Sequence, residues 1–436
     1  MMRSLFSGVA GLKNHQTRMD VIGNNIANVN TVGFKASRVT FQDVLSQTMQ
    51  GASAPQGDRG GSNPMQVGLG VGVASIDTLF TESSFQPTGK QEDLAIQGNG
   101  LFILADGNNQ YYTRAGNFDY DTLGNYTMQG NGLKVQGWMA DANGVIDTST
   151  PLTGITIPVG QAMPAKATSD PVPASFPKGG VTFQGNLAAD VETTAVDPNA
   201  SLTNTTITVY DAQGNAHKIG GTFAKTGANT WTWTPNATAD TGATVAGAST
   251  IVFDAATGRC FDTTTSTYEG ATVIGAITVT PVAPIGAPAF TFNPDFSALT
   301  QFGGESTANS VTQTGYAAGS LLNKTISTDG VITGRFSNGM SMDLAQIAMA
   351  TFNNPGGLVK EADTLFSKSN NSGEPRIGIA NTGGRGSFRP ESLEMSNVNL
   401  AEEFSNMIIT QRGFQANSRI ITTTDEMLQD LTNLKR

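Results

Sequence analysis

Both ends of this chain carry apolar residues at every seventh position, and that repeat limits what the termini can become. Near the start the row is Leu5, Leu12, Met19 and Ile26, with Val9 and Gln16 between them and Ile22 alongside. Near the end it is Leu400, Met407, Phe414, Ile421 and Leu428, widened by Phe404, Ile408 and Leu431. Spacing by threes and fours marks a helix with one apolar stripe. Gly8, Gly11 and Gly23 interrupt the first helix, each costing about 1 kcal/mol against Ala. Gly413 alone interrupts the second, which Asn399 and Glu402 open as an N-cap with a capping box. It runs almost to Arg436, roughly 50 Å at a 1.5 Å rise per residue.

Such a pair of helices has two uses. The stripes pack on each other as a hairpin within one molecule, or they meet neighbouring subunits in a coiled-coil-like layer. Periodicity does not name the partner.

Between the helices the chain is strand and turn. The tract 47–72, rich in Gly, Ser, Gln and Pro, reads as a linker or long hairpin. From Val73 onward short β-prone runs alternate with turn signals. Examples are Leu101-Phe102-Ile103-Leu104 before Asp106-Gly107, and Val135-Gln136-Gly137-Trp138 before Asp141-Ala142-Asn143-Gly144. Pro is scattered through 151–177, a crossing into another domain. Residues 188–295 are rich in Thr, Ala and Gly, with alternating strands such as Thr206-Ile207-Thr208-Val209-Tyr210 and Trp231-Thr232-Trp233. That stretch predicts an inserted barrel or sandwich. Strands return over 316–390, with Asp329-Gly330 as a hairpin turn.

The fold class expected is mainly β, multidomain, with terminal α-helices. Residues 1–45 and 392–436 form a terminal helical assembly domain, and 46–72 a linker or hairpin stretch. Residues 73–187 and 296–391 make a first, discontinuous β domain, and 188–295 an inserted outer β domain.

Composition narrows the function. At 436 residues the chain exceeds one ordinary core. Charged residues are 14%, and 38% apolar content is enough to fold. A net charge of −10 without a long basic run argues against nucleic acid and against an anionic membrane surface. Cys260 is the single cysteine, so no intrachain disulfide forms. No apolar run approaches the roughly 20 residues of a membrane span. Ser4-Leu5-Phe6-Ser7-Gly8-Val9-Ala10-Gly11-Leu12 is no signal-peptide core. A chain of this kind that leaves the cell is expected to do so without a cleaved signal.

Catalytic signatures are missing. His15 and His217 are the two histidines, one on the first helix and one after a turn, where structural roles are commonest. No His-Glu-x-x-His, Gly-x-Ser-x-Gly or Cys-x-x-Cys occurs. Gly68-Leu69-Gly70-Val71-Gly72 lacks nucleotide-loop spacing. Asp119-Tyr120-Asp121-Thr122-Leu123-Gly124 imitates a calcium loop, but Leu123 and Gly130 stand where oxygen ligands belong, so a hairpin turn is expected. No catalytic residue, metal or cofactor is expected.

One string exceeds what composition explains: Met19-Asp20-Val21-Ile22-Gly23-Asn24-Asn25-Ile26-Ala27-Asn28-Val29-Asn30-Thr31-Val32-Gly33-Phe34-Lys35. It resembles the N-terminal signature of the axial proteins of the bacterial flagellum, the rod and hook family. Asn24, Asn25, Ala27, Asn28, Gly33, Phe34 and Lys35 carry the motif: an Asn run that stops a helix, a glycine that permits a turn, and an aromatic anchor. The segments 393–404 and 407–417 resemble the family's closing helix. Within the family the hook type fits best. The chain is long, it carries an inserted domain, and Val209-Tyr210-Asp211-Ala212-Gln213-Gly214-Asn215-Ala216-His217 and Phe352-Asn353-Asn354-Pro355-Gly356-Gly357-Leu358 resemble hook-type turns.

The resemblance implies a helical homopolymer, a curved tube acting as a universal joint between basal-body rod and filament. It implies rod proteins, a hook cap, a hook-filament junction protein and the type III export machinery as partners. It places the chain in the extracellular hook, with no membrane insertion. A distal rod protein and a hook-associated axial protein are the near alternatives. A β-rich surface adhesin is the alternative from another class, and it needs no apolar heptads at both ends.

Overall fold

The computed structural model describes residues 2–55, 57, 60–107, 109–170, 180–193, 202–237, 243–262, 267–268, 272–282 and 286–433. Part of the Pro-bearing tract, 171–177, and parts of 188–295 therefore lie outside the described residues. The chain is mainly strand with one long helix at each end, α1 (Met2–Ala27) and α2 (Leu400–Asn433), and the two pack together. It divides into two compact units. The first holds 1–159, 324–334 and 342–436, and the second holds 160–323 and 335–341.

In the first unit the run Leu101-Phe102-Ile103-Leu104 becomes the strand Leu101–Asp106, buried on both faces. It pairs antiparallel with Asn109–Thr113, with Leu104 opposite Tyr111. Lys134–Met139 and Met349–Thr351 flank it. Ile103, Tyr112, Trp138, Ala350 and Phe366 pack into one core. Two short pairings bring the distant halves of the unit together. Ser387–Pro390 lies antiparallel to Leu94–Gln97, and Ser392–Glu394 to Phe85–Pro87. These pairings place the start of α2 beside the end of α1.

The tract 46–72 is a hairpin. Ser46–Gln50 pairs with Met65–Gly68, with every residue of both strands exposed. At its base Ser37–Asp43 pairs with Val71–Thr78. This ribbon lies along α1: Asn14 Nδ2 donates to Val71 O, and Phe41 stands edge-on to His15 with ring centroids 5.8 Å apart.

Among its described residues the second unit holds strands and turns only. Thr203–Tyr210, Ala216–Gly227, Thr230–Ala237 and Ser249–Val252 form an antiparallel meander whose side chains alternate between core and solvent, as a half-buried sheet requires. Val181–Ala188 runs parallel to Pro294–Phe302 and antiparallel to Asn309–Gln313. Phe183, Phe223, Trp233 and Phe296 meet at its centre, Phe183 and Trp233 5.2 Å apart. Val181, Phe183 and Leu187 are thus core residues of this unit. The unit begins at Gly160, not at the 188 expected from composition, because pairing rather than Thr and Ala content sets its edge. The second unit also keeps 296–302, the greater part of the strand Pro294–Phe302, and Asn309–Gln313, which the expected boundary had given to the first.

Candidate assembly interface

α1 and α2 run antiparallel. Arg18 Nη2 donates to Asn406 Oδ1 at 3.2 Å and Asn25 Nδ2 to Glu403 Oε1 at 2.9 Å, while Gly8 lies against Ile420 and Ile421. The face α1 presents is Gly8, Gly11, His15, Arg18, Ile22 and Asn25, in steps of three and four. The opposing face of α2 is Glu403, Thr410, Asn417 and Thr424, seven apart. Thr410 and Thr424 are 0% and 1% exposed. Their hydroxyls donate back to Asn406 O at 2.7 Å and Ile420 O at 2.6 Å. The line along which the helices meet is therefore mostly small or polar, with Ile22 its large apolar member on α1. A Cβ at Gly11 would stand 2.8 Å from Asn417 Nδ2, so the close approach offsets the helix propensity glycine loses.

Apart from Ile421, which reaches Gly8, the apolar heptad lies beside this line. Met407, Phe414, Ile421 and Leu428 are half-buried. Leu400, Phe404 and Ile408, four apart, are exposed at 39%, 50% and 54%. Ile409, Ile420 and Met427 make a second exposed row at spacings of eleven and seven, which return to nearly the same face at 3.6 residues per turn. On α1, Phe6 and Val9 are exposed, and Leu5, Leu12, Met19 and Ile26 half-buried. Ile22 is 4% exposed and is withdrawn from the expected surface, since its place facing α2 commits it inside the subunit. The side chain of Leu431 lies outside the described residues. The rows of Phe6 and of Ile409, Ile420 and Met427 escaped the sequence reading because it followed a single stripe per helix.

The Asn-rich motif fastens the helix pair to the sheet. Asn28 Nδ2 donates to Asn24 O at 2.8 Å, and Thr31 Oγ1 to Asn28 Oδ1 at 3.1 Å, closing the end of α1. Asn24 and Ala27 face solvent. Asn25, buried, also donates to Ser37 O at 2.8 Å and accepts from Ser37 N at 3.0 Å. Gly33 has φ +67°, and a Cβ there would collide with the backbone of Ala115. Phe34 is buried, with Lys360 Nζ 4.0 Å from its ring centre.

Lys35 leads to a group the sequence reading missed. Its ammonium donates to Thr81 O and to Glu394 Oε1, both at 2.7 Å. The other oxygen of Glu394 takes Arg114 Nη1 at 3.2 Å, and Ser83 N also donates to this carboxylate. Burial lowers the Lys35 pKa, and Glu394 opposes that shift. Burial likewise lowers that of Arg114. Arg114 lies 280 positions from Glu394 in sequence, so no local pattern announces the trio.

Asp121, His217 and Cys260 sit in structural settings. Asp121 Oδ1 accepts from Leu123 N and Asn125 N, both at 2.8 Å, which makes the calcium-like tract the turn between Phe118–Tyr120 and Tyr126–Met128. His217 Nε2 is 3.1 Å from Asp211 Oδ2 inside the second unit. Cys260 is buried, and burial pushes its thiol up to about 12.

Four family models match this chain. They are the flagella basal body rod protein model over 5–35 and the flagellar hook protein FlgE/F/G D1 domain over 95–169. The flagellar basal body protein FlaE D2 domain matches 182–316, and the flagellar basal body rod FlgEFG protein C-terminal model 389–434. The flagellar hook protein FlgE of Borreliella burgdorferi is 43% identical over 455 aligned residues, covering 100% of both chains. The chain belongs to the flagellar hook protein family, FlgE. The FlgE of Treponema pallidum is 40% identical, again over 100% of both chains. The Bacillus subtilis flagellar basal-body rod protein FlgG is 30% identical over 100% of both, so the chain is similar to a rod protein as well as to hook proteins over its full length. In FlgE terms, the helix pair corresponds to the two terminal family segments.

Proposed function

We propose that this chain is the structural subunit of the flagellar hook, and that copies assemble through the apolar rows of the α1–α2 pair into a curved, flexible tube between rod and filament. One observation carries the reading. The helices meet mainly through small and polar residues, with Ile22 and Ile421 as apolar exceptions, and leave Phe404, Ile408, Ile409 and Met427 outward. A solitary subunit has no use for Phe404, Ile408, Ile409 and Met427 in water, whereas exposed apolar surface is what an interface buries. The family motif then serves to hold the pair at a fixed place on the sheet.

The same reading makes rod proteins, the hook cap, the hook-filament junction protein and the type III export machinery its partners. A chain without cysteine pairs suits export in an unfolded state. The role is mechanical, not enzymatic. Negative-stain images of the purified full-length chain at high concentration test it: short curved tubes are expected, and a protein that stays monomeric at every concentration contradicts it.

A further inference from the structure

Four Asn-Gly pairs occur in the chain: Asn99-Gly100, Asn131-Gly132, Asn143-Gly144 and Asn338-Gly339. In such a pair the glycine's backbone nitrogen is able to attack the asparagine side chain, because no side chain of its own shields it. The reaction needs a free N–H and a free side-chain amide. Three of the pairs lack the first. Gly132 N donates to Met128 O at 3.0 Å, Gly144 N to Asp141 O at 3.1 Å and Gly339 N to Phe336 O at 3.0 Å. Two of these also tie up the side chain. Asn131 Oδ1 accepts from Leu133 N at 3.2 Å, and Asn338 Oδ1 from Met340 N at 3.0 Å. Asn99-Gly100 differs on both counts. Among the described residues Gly100 N has no acceptor, and the exposed Asn99 side chain has no hydrogen-bond partner. Two further features favour attack here. Asn99 O accepts from Gly386 N at 2.7 Å, and a donor on that oxygen stabilises the charge the peptide takes when its nitrogen loses a proton. Asn99 and Gly100 also line a cavity of about 350 Å3, beside Leu101, Thr351 and Asn353, which admits water.

We infer that Asn99 is a site of spontaneous modification, where the folded chain converts its own asparagine to aspartate and isoaspartate. Gly100 N loses its proton and bonds to Asn99 Cγ. The Cγ–Nδ2 bond breaks, and that nitrogen leaves as ammonia, taking the proton. Water then opens the succinimide ring at either of its carbonyl carbons. A carboxylate forms, and its proton goes to solvent. No bond is oxidised or reduced, and water is the only co-reactant. The product sets a negative charge in the loop between Leu94–Gln97 and Leu101–Asp106, where a neutral amide stood. Isoaspartate also lengthens the backbone by a carbon beside the bond to Gly386. The inference does not depend on how copies assemble.

The test incubates the full-length protein in mildly alkaline buffer, digests it, and locates each converted residue by fragment-ion mass spectrometry. Ammonia release is followed alongside. In the folded chain Asn99 is expected to convert about tenfold faster than Asn131, Asn143 or Asn338, the scale on which one hydrogen bond that must first break slows a step. In denaturant that advantage is expected to vanish, because the four pairs then have the same freedom. Asn99→Gln is expected to abolish the early ammonia release and to melt as wild type does, since the side chain is exposed. An Asn99 that converts no faster than the other three in the folded chain overturns the inference. So does a tenfold preference that persists in denaturant, which would trace to the neighbouring residues rather than to the fold. Should Asn99→Gln melt early, the wild-type rates, folded and unfolded, decide alone.

Discussion

The Lys35 ammonium lies 2.7 Å from Glu394 Oε1, and both side chains are fully withdrawn from water. One residue stands eight positions past the end of α1, the other six before the start of α2. Their contact holds the two helix roots at one place on the sheet. Removing one partner of a buried pair leaves the other charge uncompensated, at roughly 3–5 kcal/mol. Glu394→Ala leaves two cations so exposed to that cost. It is expected to lower the melting temperature of the monomer markedly. Asp119→Ala breaks the half-exposed contact with Lys90 and is expected to cost about 0–1 kcal/mol. Equal losses in a pair of denaturant titrations would remove the trio's special standing.

Glu403 gives a pH signature. Burial raises its pKa above the usual value, with Glu402 adding to the rise and the Asn25 hydrogen bond and Arg18 opposing it. The folded state therefore holds this proton more tightly than the unfolded chain. Its contribution is fully present below the unfolded value of 4.5 and is lost as pH rises through the raised folded value. Glu403→Gln keeps an acceptor for Asn25 and never ionises. The variant is expected to melt higher than wild type at pH 8, with the gap closing as pH falls through the folded value toward 4.5. Melting curves of both proteins across that range check the sign; a gap that widens toward acid contradicts it.

The polar contact line between α1 and α2 also predicts where the free subunit is weakest. Helices joined by Gly, Thr and Asn bury little apolar surface, and isolated helices are marginal. The roots are fixed by Asn25 and Lys35, the far ends by much less. Brief trypsin treatment of the monomer is expected to cut at Arg412 and Arg419 and to spare Lys35 and Arg114. Mass spectrometry of the fragments decides, and full protection of Arg412 goes against a loosely held pair.

Much of this architecture was legible in the sequence. The heptads of Leu5 to Ile26 and Leu400 to Leu428 gave both helices, and Asn399 does cap α2, its Oδ1 accepting from Ala401 N at 3.1 Å. Alternation in Thr206 to Tyr210 and the Asp329-Gly330 turn gave strands where strands are found. What failed was the step from stripe to contact. A helical row shows that a face is apolar, and here the face that pairs within the subunit is the polar row Glu403, Thr410, Asn417 and Thr424. The Lys35, Glu394 and Arg114 trio was illegible because tertiary pairing alone assembles it.

The second unit can be excised at a place the strands define. Leu321 N donates to Gln161 O at 3.0 Å, so this segment begins and ends side by side. Replacing 162–320 with a short Gly/Ser linker is expected to leave a folded first unit that still forms tubes, straighter than those of the full chain. Removing only 188–295 strands Phe183, Phe296 and Leu299 without the core they pack in, and is expected to give aggregated protein. Electron microscopy and solubility of the two deletions separate these outcomes; a soluble, well-folded 188–295 deletion contradicts the boundary.

The most direct test of the central claim is Phe404→Asp, read by one monomer melt and one sedimentation assay. Phe404 is 50% exposed on the row that includes Leu400 and Ile408. In a free subunit the change touches an exposed side chain and is expected to shift stability by at most about 0.5 kcal/mol. In the tube it removes burial worth roughly 1.5–3 kcal/mol and sets a charge against apolar surface, at every subunit. The account predicts a monomer that melts as wild type does and no longer sediments as tubes. A monomer that melts early yet still assembles would show that this row packs within the subunit, and the account of how the ends work would fall with it.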